Sequence, residues 1–464
     1  MPLSCQAEAG DPCAERKLCF QIVKDPAASL RGINLVKQHS CGAFDPRGSR
    51  QISMQAWLLG SLLAGIKKSE DREMIVEPKV REFICTTAHP EGCRENVKRQ
   101  IAYVKEKGQV SGPKKVLVIG ASTGYGLASR ITAAFACQAA TIGIMFEKPS
   151  NGKRTATPGW YNTAAFEALA KEEGLYAKSI NGDAFSAEVK QQAIEMIKED
   201  LGQVDMVIYS LAAPRRTTAD NKTWSSTLKT TTGAFTEKSL DLRNNTIVTK
   251  TVESANDEEL EGTIKVMGGE DWMDWMDALT NAGVLAENAV TVAYSYIGPE
   301  LTYPIYTEGT IGQAKKHLTE TAGRIREKHP GILSYISVNK ALVTQASAAI
   351  PIVPLYFAIL YKVMKEQGTH EGCIEQISRL FHDKLFAGEI PTDEQGRIRM
   401  DDWELAPQVQ GAVMDCWKEV DTENVETLSD IEGYWEDFYH MFGFHFDNVD
   451  YSKDVDIQVE IPSL

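Results

Sequence analysis

The sequence predicts an α/β fold in which helices cover both faces of a doubly wound parallel sheet. Three observations indicate this class: short apolar runs rich in β-branched residues recur, helical periodicity fills the chain between most of them, and a glycine-rich turn follows the first run. Parallel neighbours require a crossover connection, which a helix usually provides. The predicted strands are 115–119, 140–146, 175–180, 205–210, 290–296 and 332–338.

Composition and charge exclude several classes of protein. The 464 residues include 43% hydrophobic and 24% charged residues, which is typical of an ordinary globular protein. A net charge of −15 argues against nucleic acid or an anionic membrane as the main partner. The nine cysteines are scattered without a CxxC pair, so the sequence predicts neither a disulfide framework nor a metal site. No apolar run approaches the ~18 residues that a membrane span needs.

The first 73 residues differ from the remainder of the chain. They hold ten Lys or Arg, eight Asp or Glu, and four of the nine cysteines, and they lack strand-like alternation. We therefore expect residues 1–73 to be a leader or appendage, and residues 74–464 to form one enlarged domain. A targeting peptide, a flexible tail and an unused upstream start all remain open, because transit peptides are typically poor in acidic residues.

One connection between predicted strands is much longer than the others. Residues 213–262 are polar and rich in threonine, and alternation around residues 228–252 predicts a hairpin. An excursion of this length inside a compact domain usually has a function, so we expect an inserted hairpin lid. Beyond residue 339 the pattern predicts helical additions, among them an apolar helix at 351–366 that would line an acyl channel or belong to the core.

The turn after the first strand has the spacing Gly-x3-Gly-x-Gly, which resembles that of short-chain dehydrogenase/reductases. A glycine turn between a buried strand and a helix places backbone N–H groups beside a pyrophosphate, and the helix dipole favours the negative charge. The turn thus predicts a Rossmann-type dinucleotide site. Its cofactor-binding residues are Gly120, Ala121, Ser122, Thr123, Gly124 and Tyr125.

The end of the second strand indicates which dinucleotide binds. Glu147, directly after Phe146, can accept hydrogen bonds from the ribose 2′-hydroxyl and repels a 2′-phosphate, which favours NADH over NADPH. Lys148 weakens this preference. Residues after the third and fourth strands complete the predicted cofactor contacts near the adenine and the nicotinamide ribose, namely Asp183, Ala184, Leu211 and Ala212.

A reductase of this fold needs a proton donor near the nicotinamide. A tyrosine phenol can serve if a lysine lies close, lowers its pKa and holds the cofactor ribose. Typical short-chain enzymes use Tyr-x3-Lys, and Tyr361 with Lys365 has this spacing, but it lies in an apolar helix far beyond the fifth strand. Tyr306 and Lys315 follow the fifth strand directly, although their spacing is Tyr-x8-Lys.

Residues 294–315, "YSYIGPELTYPIYTEGTIGQAK", closely resemble the trans-2-enoyl-CoA reductases and the related V-type enoyl-acyl-carrier-protein reductases. These families are enlarged members of the short-chain superfamily. The resemblance extends from about Met74 to Leu464 and includes "VMGGEDW" (266–272), "LVTQASAAIPIVPLY" (342–356) and "DDWEL" (401–405). One stretch departs from it, since "NKTWSSTLKTTTG" (221–233) lacks a histidine and a proline that relatives usually carry, which leaves the shape of the lid open.

This resemblance implies NADH-dependent reduction of the C2–C3 double bond of a 2-enoyl thioester, such as crotonyl-CoA, in fatty acid synthesis. It implies that Tyr306 is the proton donor, that Lys315 binds NADH and supports Tyr306, and that Tyr296 contacts the substrate. The residues that it places near the nicotinamide are Leu342, Val343 and Thr344. It also implies a monomer and, by likeness to eukaryotic reductases, a mitochondrial location.

Several alternatives remain open at this stage. The thioester carrier is coenzyme A or acyl carrier protein, and the acidic net charge favours coenzyme A. A cytoplasmic location is the alternative to the mitochondrion. A ketoreductase would need Tyr-x3-Lys with an upstream serine, which is not found after the fifth strand. A non-catalytic nucleotide-sensing protein is disfavoured because Tyr306, Lys315 and the glycine turn are all present.

Overall fold

The computed structural model describes residues 73–81, 84–344, 347 and 350–464. The leader or appendage predicted for residues 1–73 lies, apart from its last residue, outside this part of the chain. That prediction and the single-domain boundary at residue 74 therefore stay predictions. No helix in the described ranges is long and apolar enough to cross a membrane.

A parallel seven-stranded sheet forms the centre of the molecule. Its strand order is β3-β2-β1-β4-β5-β6-β7. In chain order the strands are β1 (Lys115–Ile119), β2 (Ala140–Met145), β3 (Ala177–Asn181), β4 (Val204–Tyr209), β5 (Leu285–Ser295), β6 (Leu333–Val338) and β7 (Arg397–Arg399). The doubly wound α/β class and all six predicted strands are confirmed. The order reverses between β1 and β4, and such a reversal opens a crevice at the carboxyl edge of the sheet.

The seventh strand, β7, was not predicted from the sequence. It has only three residues, Arg-Ile-Arg, and pairs with β6 at the edge of the sheet. Ile398 is fully buried while the flanking arginines are half-buried. One apolar residue between two charged ones gives no periodicity, so only the pairing with β6 identifies this strand.

Helices cover both faces of the sheet, as a parallel arrangement requires. In chain order they are α1 (Pro90–Lys107), α2 (Gly124–Cys137), α3 (Pro158–Glu172), α4 (Ala187–Met196), α5 (Asp257–Met267), α6 (Glu270–Asn281), α7 (Thr310–Lys328), α8 (Val353–Glu366), α9 (Cys373–Arg379), α10 (Pro407–Glu419), α11 (Val425–Leu428) and α12 (Ile431–His440). Alternate residues of β1 pack in opposite directions: Val116 and Val118 belong to the cluster under α1, α2 and α9, whereas Leu117 and Ile119 belong to the cluster under α4, α6 and α7.

A third hydrophobic cluster lies among the additions at the carboxyl-terminal end. It consists mainly of α8, α10 and α12, together with buried residues of the hairpin and Tyr306. Helix α8 is buried along nearly its whole length, which explains its uninterrupted apolar sequence. The helical additions predicted beyond residue 339 are thereby confirmed, and they form a core of their own beside the sheet.

The long insertion contains the predicted hairpin, whose strands Phe235–Asp241 and Thr246–Val252 pair antiparallel. Asn245 adopts a left-handed conformation in the connecting turn, with φ of 54°. Lys238 Nζ donates to the carbonyl oxygens of Trp417 and Val420 at 2.9 and 3.1 Å, and the backbone N–H of Ile352 donates to Ser239 Oγ at 3.1 Å. The hairpin is thus anchored to the third cluster at the amino-terminal end of α8 and the carboxyl-terminal end of α10.

Candidate active site

The glycine turn between β1 and α2 permits a close approach that other residues would block. A Cβ at Gly120 would lie 2.1 Å from the carbonyl oxygen of Ser210, and one at Gly126 would lie 1.8 Å from that of Gly120. Gly120 also has φ of 84°, which favours glycine. Helix α2 begins at Gly124, and the side chain of its N-cap Thr123 does not cap it. The first N–H groups of α2 are therefore available to an anionic ligand.

Glu147 lies beside this turn at the carboxyl end of β2. Ser122 Oγ donates to Glu147 Oε1 at 2.6 Å, and a Cβ at Gly159 would lie 2.0 Å from the same oxygen. The glutamate is thus held between the glycine turn and the start of α3. Its neighbour Phe146 is 77% exposed, which leaves a large aromatic ring accessible at this edge. The structure therefore brings Ser122 and Glu147 into contact, with Phe146 exposed next to them.

The predicted contacts after β3 and β4 lie at the same carboxyl edge. Asp183 forms a local turn by accepting from the backbone N–H of Phe185 at 3.0 Å. The carbonyl oxygen of Ala184 accepts from Trp275 Nε1 at 3.1 Å, so a buried tryptophan supports this loop. Leu211 is adjacent to the glycine turn, because a Cβ at Gly120 would meet its side chain at 3.2 Å, and the next residue, Ala212, is exposed.

Two tyrosines meet beyond the end of β5. The rings of Tyr296 and Tyr306 pack edge to face, with centroids 4.8 Å apart and planes at 82°. Tyr306 is 8% exposed. No group among the described residues forms a hydrogen bond with its hydroxyl, which leaves that hydroxyl available to a ligand. Burial raises the pKa of Tyr306 above its ordinary value, and the negative charge of Glu404 adds to the rise, so the phenol retains its proton.

Lys315 lies on the first turns of α7, close to the end of β5. Its Nζ donates to the carbonyl oxygen of Tyr294 at 3.0 Å, and burial lowers its pKa to about 8. In the described part of the chain no hydrogen bond joins Lys315 to Tyr306. We expected Lys315 to lower the pKa of Tyr306. The structure differs from this expectation, because the desolvation of the phenol determines the direction of its shift.

The segment after β6 contains the three residues predicted to lie near the nicotinamide. Leu342 and Val343 are buried, and Thr344 is partly buried. The backbone N–H of Val343 donates to the hydroxyl of Tyr361 at 3.1 Å. Tyr361 is fully buried on α8, while Lys365 is partly exposed and pairs with Asp430 at 2.6 Å. The Tyr-x3-Lys spacing in α8 is thus that of a packing tyrosine beside a surface lysine.

The segment after β6 is also tied to the glycine turn. The hydroxyl of Tyr125 donates to the carbonyl oxygen of Lys340 at 2.9 Å. Gln376 closes a ring around this contact, since its Nε2 donates to Tyr125 Oη at 2.8 Å and its Oε1 accepts from the backbone N–H of Lys340 at 2.8 Å. Tyr125 therefore has a structural link in addition to its predicted place in the cofactor turn.

One residue at this edge was not singled out from the sequence. Glu404 is fully buried and contacts Tyr296, Tyr356 and the backbone of Ala341. The stretch "DDWEL" that contains it was noted only for its resemblance, because a buried glutamate is identifiable only once its partners are known. In the described ranges no cluster of three or more His, Cys, Asp or Glu residues is arranged to hold a metal ion.

Family comparisons match nearly the whole described chain. Residues 75–152 match the NAD(P)H binding domain of trans-2-enoyl-CoA reductase. Residues 154–386 match the trans-2-enoyl-CoA reductase catalytic region. Residues 392–455 match a family described as the enoyl reductase FAD binding domain.

Individual relatives show the same relationship. The chain is 59% identical over 395 residues to an enoyl-[acyl-carrier-protein] reductase [NADH] of Cytophaga hutchinsonii, and 56% identical over 394 residues to a trans-2-enoyl-CoA reductase [NADH] of Ruminiclostridium cellulolyticum. Each alignment covers 84% of this chain and all of the relative. A solved trans-2-enoyl-CoA reductase of Treponema denticola in complex with NAD is 50% identical, with a TM-score of 0.81 over 84% of this chain and all of the other.

The segment that matches the FAD family does not fit a flavin dinucleotide. After β7 the chain continues with Asp401, Asp402 and Glu404 rather than with a glycine turn, and these carboxyl groups are occupied by Arg399, Arg379 and Tyr356. Helices α10 and α12 direct their apolar side chains into the third cluster. We therefore assign no chemistry to a flavin in this segment.

The buried amine of Lys315 predicts a pH-dependent cost to stability. Its folded-state pKa of about 8 lies below the ordinary value of 10.5, so between these values the unfolded chain binds more protons and stability rises with pH. We expect Lys315→Met to raise the free energy of unfolding of the cofactor-free protein most at about pH 7, and progressively less towards about pH 10. Urea unfolding across this range measures the difference.

Lys316→Met is the matched control for this experiment, because Lys316 is exposed on the same helix. We expect this variant to show no such trend with pH. If the free energy of unfolding of Lys315→Met exceeded that of the unaltered protein by the same amount at every pH from about 7 to 10, the pKa of Lys315 would not be lowered by burial in the folded protein.

Proposed function

This chain belongs to the trans-2-enoyl-CoA reductase family, and on that premise we propose that it reduces the C2–C3 double bond of a 2-enoyl thioester with NADH. The observation that carries the proposal is the Tyr296–Tyr306 pair, which lies at the carboxyl edge of the sheet with the hydroxyl of Tyr306 available. The glycine turn, Glu147 and Lys315 lie at the same edge. Proton donor and cofactor site are thus presented to one crevice, as a reductase requires.

The residues present fit NADH. The uncapped start of α2 and the close packing at Gly120 and Gly126 suit a pyrophosphate, and Glu147 suits a free ribose 2′-hydroxyl. Lys315 is proposed to bind the nicotinamide ribose. When bound, NADH supplies the hydride that adds to C3 of the enoyl thioester. The segment Leu342–Thr344 is proposed to pack beside the nicotinamide, since it follows β6 at this edge.

The two tyrosines are proposed to handle the charge and the proton of the reaction. Hydride addition at C3 leaves negative charge on the thioester oxygen, and hydroxyl donors at Tyr296 or Tyr306 would stabilise it. Tyr306 then supplies, directly or by relay, the proton that completes the saturated thioester. Burial raises the pKa of Tyr306, so the phenol is protonated at neutral pH and is a weak acid; the available hydroxyl beside Tyr296, and not the pKa, supports this role.

The carrier of the acyl group is proposed to be coenzyme A. Relatives above 50% identity carry both names, an enoyl-[acyl-carrier-protein] reductase and a trans-2-enoyl-CoA reductase, so family membership alone does not choose between them. The net charge of −15 disfavours an acidic carrier protein through long-range repulsion. Acyl carrier protein stays the alternative, with the same chemistry.

Cellular location and assembly complete the proposal. The relatives compared here are bacterial, and they lend no support to the mitochondrial location expected from the sequence. That expectation depends on residues 1–73, which lie almost wholly outside the described residues, and a cytoplasmic location stays its alternative. The expectation of a monomer likewise stays a prediction.

Tyr306→Phe tests the proposed reaction. Removing the hydroxyl removes the proton donor, so we expect the rate of NADH oxidation with crotonyl-CoA to fall by at least ~10²-fold. Tyr303→Phe, three residues earlier in the same loop and only partly buried, is the control and should retain activity. An unaltered protein that oxidises no NADH with crotonyl-CoA or the carrier-protein thioester would refute the function. Full activity in Tyr306→Phe would refute only the role of Tyr306.

Glu147→Ala tests the choice of cofactor. Losing a charged hydrogen-bond acceptor costs about 1.5–3 kcal/mol. We therefore expect the ratio of kcat/KM for NADH to that for NADPH to fall by at least ~10-fold. Glu172→Ala, an exposed glutamate on α3, should leave the ratio unchanged. A ratio that survives in Glu147→Ala would show that another group discriminates against the 2′-phosphate.

The carrier is tested with one acyl chain on both carriers. We expect kcat/KM for crotonyl-CoA to exceed that for the crotonyl thioester of acyl carrier protein. The difference should narrow at higher salt, because screening weakens repulsion between two acidic proteins. A larger kcat/KM for the carrier-protein substrate at low salt would instead assign the chain to acyl carrier protein.

A further inference from the structure

A buried carboxyl group lies behind the tyrosine pair, and the proposed function gives it no role. Glu404 follows the edge strand β7 and is fully buried. Its Oε1 accepts from the hydroxyls of Tyr296 and Tyr356 at 3.1 and 2.7 Å. Its Oε2 accepts from the backbone N–H of Ala341 at 2.7 Å. Three donors from three different elements therefore converge on one side chain.

The direction of these hydrogen bonds is set by their surroundings. Gln410 Nε2 donates to the oxygen of Tyr356 at 3.1 Å, so the hydrogen of that hydroxyl points to Glu404. The same amide donates to the carbonyl oxygen of Glu404 at 2.7 Å and thereby holds the glutamate's backbone. The N–H of Ala341 can only donate. A carboxylate accepts at both oxygens, whereas a glutamine would present an NH₂ group to one of these donors.

Glu404 contacts both the tyrosine pair and the residue that precedes the segment Leu342–Thr344. Tyr296 is held by its hydroxyl, and its ring stands edge-on to Tyr306. Ala341 directly precedes the segment Leu342–Thr344, which is proposed to lie beside the nicotinamide. Burial raises the pKa of Glu404, while Lys340, the N–H of Ala341 and the hydroxyl of Tyr356 oppose that rise. The carboxyl group is thus embedded between the substrate tyrosines and the cofactor segment.

We propose that Glu404 is a positioning residue of the reaction, whose carboxyl group orients Tyr296 against Tyr306. This inference rests on the proposed reduction of an enoyl thioester and adds to it a residue that acts through Tyr296. Removing the carboxylate frees the Tyr296 hydroxyl to turn, so the site loses alignment in the transition state more than it loses affinity for either substrate.

Glu404→Gln in the full-length protein is the first test. We expect kcat/KM for crotonyl-CoA to fall by ~10- to 100-fold, mainly through kcat, with the dissociation constant of NADH changed less than ~3-fold. Glu404→Asp is the second variant, since it keeps the charge on an arm too short for all three donors, and it should show the same pattern. Full activity in either folded variant would overturn the proposal.

A double-mutant cycle with Tyr296→Phe separates positioning from general destabilisation. If Glu404 acts through Tyr296, adding Glu404→Gln to Tyr296→Phe should cost less than ~3-fold beyond the single change. Losses that multiply would overturn the proposal, because they would show that Glu404 acts independently of Tyr296. Should Glu404→Gln fail to fold, the cycle is run with Glu404→Asp.

Glu167→Gln is the matched control. Glu167 on α3 is likewise a buried carboxyl group. It accepts hydrogen bonds from the hydroxyls of Ser179 and Ser463 at 2.6 and 2.8 Å. We expect this variant to lose thermal stability with kcat unchanged. The unaltered protein is assayed first. If NADH reduces neither crotonyl-CoA nor the crotonyl thioester of acyl carrier protein, the proposed function and this inference both fail, whereas activity with unaffected Glu404 variants refutes this inference alone.

Discussion

The parallel sheet places the carboxyl ends of all seven strands at one edge, and every part of the candidate active site depends on that constraint. The glycine turn follows β1, Glu147 follows β2, and Tyr296 follows β5. The segment Leu342–Thr344 follows β6, and Glu404 follows β7. Because the strand order reverses between β1 and β4, the connections diverge there and leave a crevice. Residues that are far apart in the sequence therefore lie at the same edge of the sheet, because each one follows the end of a strand.

The third hydrophobic cluster surrounds part of the candidate active site with apolar side chains and packs against Tyr125 of the glycine turn. Tyr306, Leu342 and Val343 belong to this cluster together with the buried side chains of α8. A low-dielectric setting strengthens each hydrogen bond to a developing charge, and it makes unpaired charges costly. The pKa of Lys315 and that of Lys340 are both lowered to about 8, because burial makes their positive charges costly. The same low-dielectric surroundings would strengthen hydrogen bonds to a charge that develops during the reaction.

Hydrogen bonds between side chains and backbone connect the glycine turn to the tyrosine pair. Gln376 and Tyr125 hold the backbone of Lys340 next to the glycine turn. One residue later, Glu404 holds the N–H of Ala341 and the hydroxyl of Tyr296. Two adjacent peptide groups are thus fixed from opposite sides.

The sequence by itself determined the class of fold, six of the seven sheet strands, the hairpin insertion and the glycine turn, because each of these leaves a local signature in spacing or periodicity. It also favoured Tyr306 and Lys315 as candidates over the Tyr-x3-Lys pair in α8, since position after the fifth strand and a resemblance over many motifs outweighed spacing. Only the tertiary structure decided the remainder. Strand β7 is recognisable only by its pairing with β6. The pKa of Tyr306 rises because burial of the phenol outweighs any influence of Lys315. Glu404 is distinctive only through partners 48, 63 and 108 positions away, and contacts at such separations leave no pattern in a single sequence.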